Sequence, residues 1–124
     1  MNNYITLDSK QYMTNGKTWH MEDFVPSTER ILLSGAHDVT FAAATVRVWT
    51  GQIEAPVSAT GSWGTIADLR TSLRKRQLLT FTDHYGSSFN VKASGPFKED
   101  SKSVKWDGAS NSIFVSVKLT ATTI

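Results

Sequence analysis

Residues 64–91 read GTIADLRTSLRKRQLLTFTDHYGSSFNV, and the pattern changes from helix-like in the first half to strand-like in the second. The first half carries an apolar stripe at the i, i+3, i+7 spacing of a helix, formed by Ile66, Leu69 and Leu73. Thr65 is a suitable N-cap, and Asp68 stands three residues later, where a capping box needs an acceptor. The pattern predicts a helix over residues 65–76, the only convincing helix in the chain.

The second half of this stretch is typical of a β-hairpin. Its predicted strands cover residues 78–82 and 88–93, which are rich in Thr, Phe, Leu and Val. Asp83 and Gly86 lie in the turn between them, and Gly86 can adopt the positive φ that such a loop requires. A helix followed directly by a hairpin is therefore the centre of the predicted fold.

Four cations fall within seven positions of the helix and its end: Arg70, Arg74, Lys75 and Arg76. Cations near a helix C-terminus are stabilised by the helix dipole by about 0.3–1 kcal/mol each, so this placement alone explains them. A basic cluster can also contact nucleic acid or an acidic neighbouring protein, and both alternatives stay open. We expect the last three cations to lie in the last helical turn.

The composition limits the classes of function. The chain has 124 residues, 40% of them hydrophobic and 19% charged, and abundant Thr, Ser and Val favour strands. A net charge of +2 does not indicate a general nucleic-acid binder. The absence of cysteine excludes disulfides, thiolate metal sites and cysteine nucleophiles. No apolar run approaches the length of a membrane span, so no membrane association is expected.

The remaining segments are mostly predicted strands. Residues 3–7 alternate like a strand and are followed by a turn at Asp8 and Ser9, which predicts an N-terminal hairpin. Residues 18–27 are interpreted as a partly buried loop or edge segment that completes an N-terminal arm over residues 1–27. Further strands are predicted over residues 30–33, 39–41, 45–54 and 112–119, and residues 95–111 are expected to form a polar excursion.

The last strand has the clearest alternation, with Ile113, Val115, Val117 and Leu119 expected to face the core. Phe114 is on the opposite face, where a large aromatic side chain suits a second packed layer or a subunit interface. These patterns predict a mainly β fold. The architecture is an antiparallel β-sandwich or open barrel with one packed α-helix, in a single domain over residues 1–124.

No pattern in the chain indicates catalysis. The three histidines, His20, His37 and His84, lack the spacing of a helical metal pair. The chain has no G-x-S-x-G nucleophile elbow, no Walker loop and no dinucleotide-binding glycine motif. We expect no enzymatic activity, no cofactor, no metal and no small-molecule substrate.

Four tryptophans are many for a chain of this length. Trp49 stands in the middle of a strand and is expected in the core. Trp19, Trp63 and Trp106 stand in predicted loops, where each either fills a gap beneath the loop or contacts a ligand or partner. The sequence favours neither role.

The phrases SGAHDVTF, VWTGQI, GTIADLRTSL, LTFTDHYG, GPF and VSVKL, in this order, resemble small tail proteins of long-tailed bacteriophages. The similarity is to the tail-tube-like domain shared by tube and distal tail proteins, and it spans roughly residues 30–120. The matched positions are structural: Gly35, Asp38, Trp49, Gly51, Ile53, Gly64, Leu69, Leu73, Thr82, Asp83 and Gly86. The chain differs from many distal tail proteins in having no room for a peripheral domain, and from many tube proteins in being short.

This resemblance implies a virion protein, made in the host cytoplasm, that forms a homo-oligomeric ring, often a hexamer, and contacts other tail proteins. DNA passes through the lumen of such a ring without sequence recognition. The candidate subunit-interface residues are Trp19, Trp63, Arg70, Arg74, Lys75, Arg76, Trp106 and Phe114. The alternatives are a carbohydrate-binding β-sandwich that uses exposed tryptophans, and a binder of single-stranded nucleic acid that uses the basic cluster.

Overall fold

The computed structural model describes residues 2–25, 27–31, 37–41, 45–106 and 111–122. In residues 24, 27–31, 37–41, 101–106, 111 and 122 only the backbone is considered. The described elements are, in chain order, β1 (Tyr4–Leu7), β2 (Lys10–Thr14), β3 (His20–Phe24), β4 (Ser27–Ile31), β5 (His37–Phe41), β6 (Val46–Pro56), α1 (Ile66–Leu73), β7 (Leu79–Thr82), β8 (Ser88–Ser94), β9 (Glu99–Trp106) and β10 (Asn111–Thr122).

Six of these strands form a closed antiparallel barrel. Their order is β6-β2-β1-β7-β8-β10, and β10 returns to pair with β6. This closing pair runs from Ser112 opposite Pro56 to Thr122 opposite Val46. The prediction of a mainly β fold with one packed helix is confirmed, and the barrel is closed rather than open.

Alternation along the two longest strands explains the core. The inward residues of β10 are buried: Val115, Val117, Leu119 and Ala121. Those of β6 meet them from the neighbouring strand: Trp49, Ile53 and Ala55. The expected inward face of β10 and the core position of Trp49 are confirmed.

The first hairpin lies in the barrel wall. Asp8 and Ser9 have φ values of 52° and 71°, the two positive values of a two-residue hairpin turn. β1 pairs with β2 on one side and with β7 on the other. The predicted hairpin is confirmed, but the description of residues 1–27 as an arm is wrong for this part, because Ile5 and Leu7 are fully buried in the barrel.

Three strands extend the architecture beyond the barrel. β3 pairs with β6, as predicted for an edge segment, and β9 pairs with β10. β9 corrects the prediction of a polar excursion over residues 95–111. The charged composition of this segment did not indicate a strand, but its backbone pairs with β10. β4 and β5 form a separate two-stranded sheet, and Gly35 lies outside the described residues.

The helix begins as the sequence predicts. Thr65 Oγ1 accepts from the Asp68 backbone N–H at 3.3 Å, and the Asp68 carboxylate accepts from the Thr65 N–H at 3.0 Å. It ends earlier than expected, because Arg74 is already the C-cap. The prediction that Arg74, Lys75 and Arg76 lie in the last turn is therefore wrong. No helix among the described residues is long and apolar enough to cross a membrane.

The hairpin that follows the helix is confirmed. β7 and β8 pair in register, with Phe81 opposite Phe89. The Asp83 carboxylate accepts from the backbone N–H groups of Tyr85 and Ser87 at 3.0 Å each, and Gly86 has φ 87°. The side chain of Asp83 therefore holds the turn together.

Candidate functional site

The basic cluster divides into two cations that form ion pairs with described carboxylates and two that form none among the described residues. Arg70 donates from Nε and Nη2 to the two carboxylate oxygens of Glu99, at 2.5 and 2.8 Å. This bidentate pair joins α1 to β9, and the hydrogen bond from Arg70 holds the pKa of Glu99 below its usual range. Arg70 therefore attaches the helix to a strand outside the barrel.

Lys75 makes the second attachment. Its Nζ donates to Asp8 Oδ2 at 2.5 Å, and the Ser72 hydroxyl donates to the same oxygen at 2.9 Å. The hydrogen bond from Lys75 is the main cause that lowers the pKa of Asp8. The end of α1 is thereby fixed to the β1–β2 turn, which answers in structural terms why two of the four cations stand where they do.

Arg74 and Arg76 form no ion pair with any carboxylate in the described part of the chain. With Lys75 and Lys92 they border a hollow of about 740 Å³. Leu73, Leu78, Ala93 and Phe97 supply its apolar lining. Leu78 is unusually open for a leucine, with 63% of its surface exposed.

This hollow adjoins a second one along the helix. The second has a volume of about 430 Å³, and both members of the Arg70–Glu99 pair line it. Leu73, Arg74 and Phe97 line both hollows. The two adjacent hollows are together called the α1 groove, which extends beside the helix from Glu99 to Leu78.

The tryptophans predicted at interfaces are not brought together. Trp19 is partly buried and packs edge-on against His84, with ring centroids 6.3 Å apart. Trp63 is 39% exposed and packs edge-on against Tyr4, with centroids 5.6 Å apart. The two tryptophans line separate hollows of about 510 and 270 Å³. The side chain of Trp106 lies outside the described residues.

Phe114 is on the outer face of β10, between the inward-facing Ile113 and Val115, and it is half-buried. In the sheet it stands opposite Glu54 of β6 and Asp100 of β9. Val115, on the opposite face of β10, lines the end of the hollow beside α1 at Glu99, so Phe114 lies on the other side of the strand from that hollow.

His20 and His84 line the same hollow as Trp19. His84 Nε2 lies 2.9 Å from Thr14 Oγ1, and burial lowers the pKa of His84. His20 Nε2 lies 3.9 Å from Glu22 on the surface, and the side chain of His37 lies outside the described residues. In the part of the chain that the structure describes, no three His, Asp or Glu side chains are placed to hold a metal ion.

One polar centre was not anticipated from the sequence. Arg47 donates from Nε and Nη2 to the Asp23 carboxylate at 2.6 and 2.8 Å. Its guanidinium also lies 5.4 Å from the Phe89 ring centroid and 5.9 Å from that of Trp49. An arginine two positions before Trp49, on the same face of the strand, is the sequence signal that could have indicated a paired charge there.

No protein-family model matches the chain, and no curated protein matches it in sequence.

Proposed function

We propose that this chain is a structural subunit of a phage tail that assembles into a homo-oligomeric ring around a DNA channel. The position in the tail is that of a tube, distal-tail or baseplate component. The support is the resemblance in sequence together with a closed β-barrel that carries one helix and extra strands at its outside.

The observation that carries the proposal is that each of the two outer strands has one edge without a strand partner among the described residues. β3 and β9 lie at the two ends of the eight-stranded sheet order, and each pairs along one side only among the described residues. Free strand edges offer unpaired backbone groups to another chain, and oligomers that join edge to edge remove this hazard. A neighbour that pairs with one edge leaves the other edge for the next neighbour, which is how a ring grows.

The exposed side chains near β3 agree with a contact surface. Met21 and Val25 are 45% and 46% exposed. Large apolar side chains at a strand edge are usually covered or replaced by charge when the edge stays in solvent. Here they are suited to burial against a second subunit.

Light scattering across a concentration series tests the proposal. We expect a discrete multimer or growth into tubes, visible also by negative-stain electron microscopy. Met21→Lys with Val25→Lys should reduce the assembly without unfolding the protein, because lysine on an edge opposes strand pairing. Val57→Lys, at a more exposed apolar site beyond the end of β6, is the matched control. A monomer at every concentration would refute self-assembly of the isolated chain.

A further inference from the structure

The α1 groove combines two properties that a merely solvated surface does not need. Three cations at its border, Arg74, Arg76 and Lys92, have no ion-pair partner among the described residues, while Arg70 and Lys75 beside them are each paired. Its lining includes the exposed Leu78 and the half-buried Phe97. A groove with an apolar lining and three bordering cations outside any ion pair among the described residues is complementary to an anionic ligand with apolar side chains.

The shape of the groove selects among anionic ligands. It is elongated, since the two hollows share Leu73, Arg74 and Phe97, and its combined volume suits an extended chain with several side chains. A single strand of nucleic acid would need aromatic faces on which successive bases stack. The lining offers one phenylalanine among aliphatic residues, so the ligand chemistry that fits is a peptide.

We infer that the α1 groove binds an acidic peptide segment of a partner protein, one that carries large aliphatic side chains between its carboxylates. The carboxylates pair with Arg74, Arg76 and Lys92, and the aliphatic side chains cover Leu78 and Phe97. This site lies along α1, and one end of it adjoins β9 at Glu99. Peptide binding and ring assembly are measured by different experiments, so the two proposals are tested separately.

Fluorescence anisotropy with labelled synthetic peptides tests the inference. The probes are a panel of short peptides in which glutamates flank a leucine pair at different spacings. Matched panels replace the glutamates by glutamine or the leucines by serine, and labelled oligothymidylate serves as the nucleic-acid probe. We expect at least one glutamate–leucine peptide to bind, and its binding to weaken at least tenfold when salt is raised above the physiological level.

Variants locate the binding on the protein. Arg74→Glu with Arg76→Glu should weaken the binding at least tenfold, Lys92→Glu on β8 several-fold, and Leu78→Ser several-fold. Lys17→Glu, on the β2–β3 connection outside the groove, is the matched charge control and should change it less than twofold. Circular dichroism establishes that each variant is folded, and Lys92→Glu serves where the double variant does not fold.

Four results would overturn the inference. The first is that no glutamate–leucine peptide binds at low salt, and the second is that the peptides with serine in place of leucine bind as tightly as the leucine peptides. The third is that oligothymidylate binds more tightly than any peptide. The fourth is that Lys17→Glu weakens peptide binding as much as the groove variants do. The first result would not count against ring assembly, because light scattering tests that proposal separately. The second would show a general polyanion surface, and the third would favour nucleic acid.

Discussion

Lys75 and Asp8 are 67 positions apart in the sequence, yet Lys75 Nζ donates to Asp8 Oδ2 at 2.5 Å. Asp8 is in the turn of the first hairpin, and Lys75 follows the C-cap of α1. The same carboxylate accepts the Ser72 hydroxyl. This contact fixes the helix end to the barrel and sets one border of the α1 groove.

Removing this pair should lower the stability modestly. Lys75→Gln and Asp8→Asn each should reduce the free energy of unfolding by about 0.2–1 kcal/mol, since both side chains are partly exposed and solvent screens the pair. Asparagine is chosen because it tolerates the positive φ of position 8. Urea denaturation of the two single variants and the double variant measures the coupling, and additive effects would show that the pair contributes nothing. Lys17→Gln is the control, and its effect should be smaller.

Gly51→Ala should be strongly destabilising. Gly51 has φ 151°, and a Cβ there would lie 2.6 Å from the Trp19 Cα, because the backbone at Thr18 and Trp19 crosses directly over it. Backbone strain and this clash together should cost more than about 2 kcal/mol. The control is Gly16→Ala, where a Cβ would meet nothing within 4 Å. Thermal and urea unfolding measure both variants, and similar midpoints for the two would contradict the predicted crossing of the chain.

Thr65→Ala should weaken the helix start. The Thr65 hydroxyl accepts the Asp68 N–H, and loss of an N-cap of this type costs about 0.5–2 kcal/mol. Thr71→Ala is the matched control, because the Thr71 hydroxyl donates only to the Ala67 carbonyl of the same helix and alanine has the higher helix propensity. Urea denaturation should therefore show a clear loss of stability for Thr65→Ala and a smaller loss, or a gain, for Thr71→Ala. Equal midpoints would mean that the capping box does not contribute.

Stability should fall in acid. The pKa values of Asp8, Asp23, Asp68 and Glu99 are lowered from 3.8 for the aspartates and 4.5 for the glutamate, because their carboxylates accept hydrogen bonds from cations or, at Asp68, chiefly from a backbone N–H. The unfolded chain then binds protons at a higher pH than the folded one. The stabilisation is complete above the ordinary values and is lost as the pH falls through the lowered ones.

Burial of His84 acts in the same direction, since it lowers the pKa of His84 from 6.5 and favours the neutral ring in the fold. Urea midpoints measured from about pH 7 to about pH 2 should decline, most steeply below about pH 5. Glu99→Gln should flatten the acidic part of the curve. A midpoint independent of pH would contradict the role of these carboxylates.

Oligosaccharides should not quench the tryptophan fluorescence. Trp19 and Trp63 line different hollows, and each packs edge-on against another ring of the same chain, so they do not present one stacking platform. Titration with a panel of bacterial surface oligosaccharides measures this directly. Saturable quenching that is lost in Trp63→Ala or Trp19→Ala would favour the carbohydrate-binding alternative over the tail-subunit proposal.

Local patterns in the sequence determined the helix start, two hairpins and the inward face of β10. Each depends on neighbours in the chain: a hydroxyl three residues from an acid, residues that adopt positive φ, and alternation with a period of two. The strand β9 was not predicted, because its sequence is mostly polar and lacks the alternation typical of a strand. It is a strand because its backbone pairs with β10.

The tertiary structure alone decided barrel closure and the division of the basic cluster. Closure requires β10 to meet β6, and no local signal encodes a pairing across such a distance in the chain. Arg70, Arg74, Lys75 and Arg76 look alike in sequence, but the fold pairs Glu99 with Arg70 and Asp8 with Lys75, and it forms no ion pair between the other two and any described carboxylate. The sequence placed the charges, and the long-range packing determined which of them pair with a described carboxylate, because an ion pair needs a partner that the fold brings near.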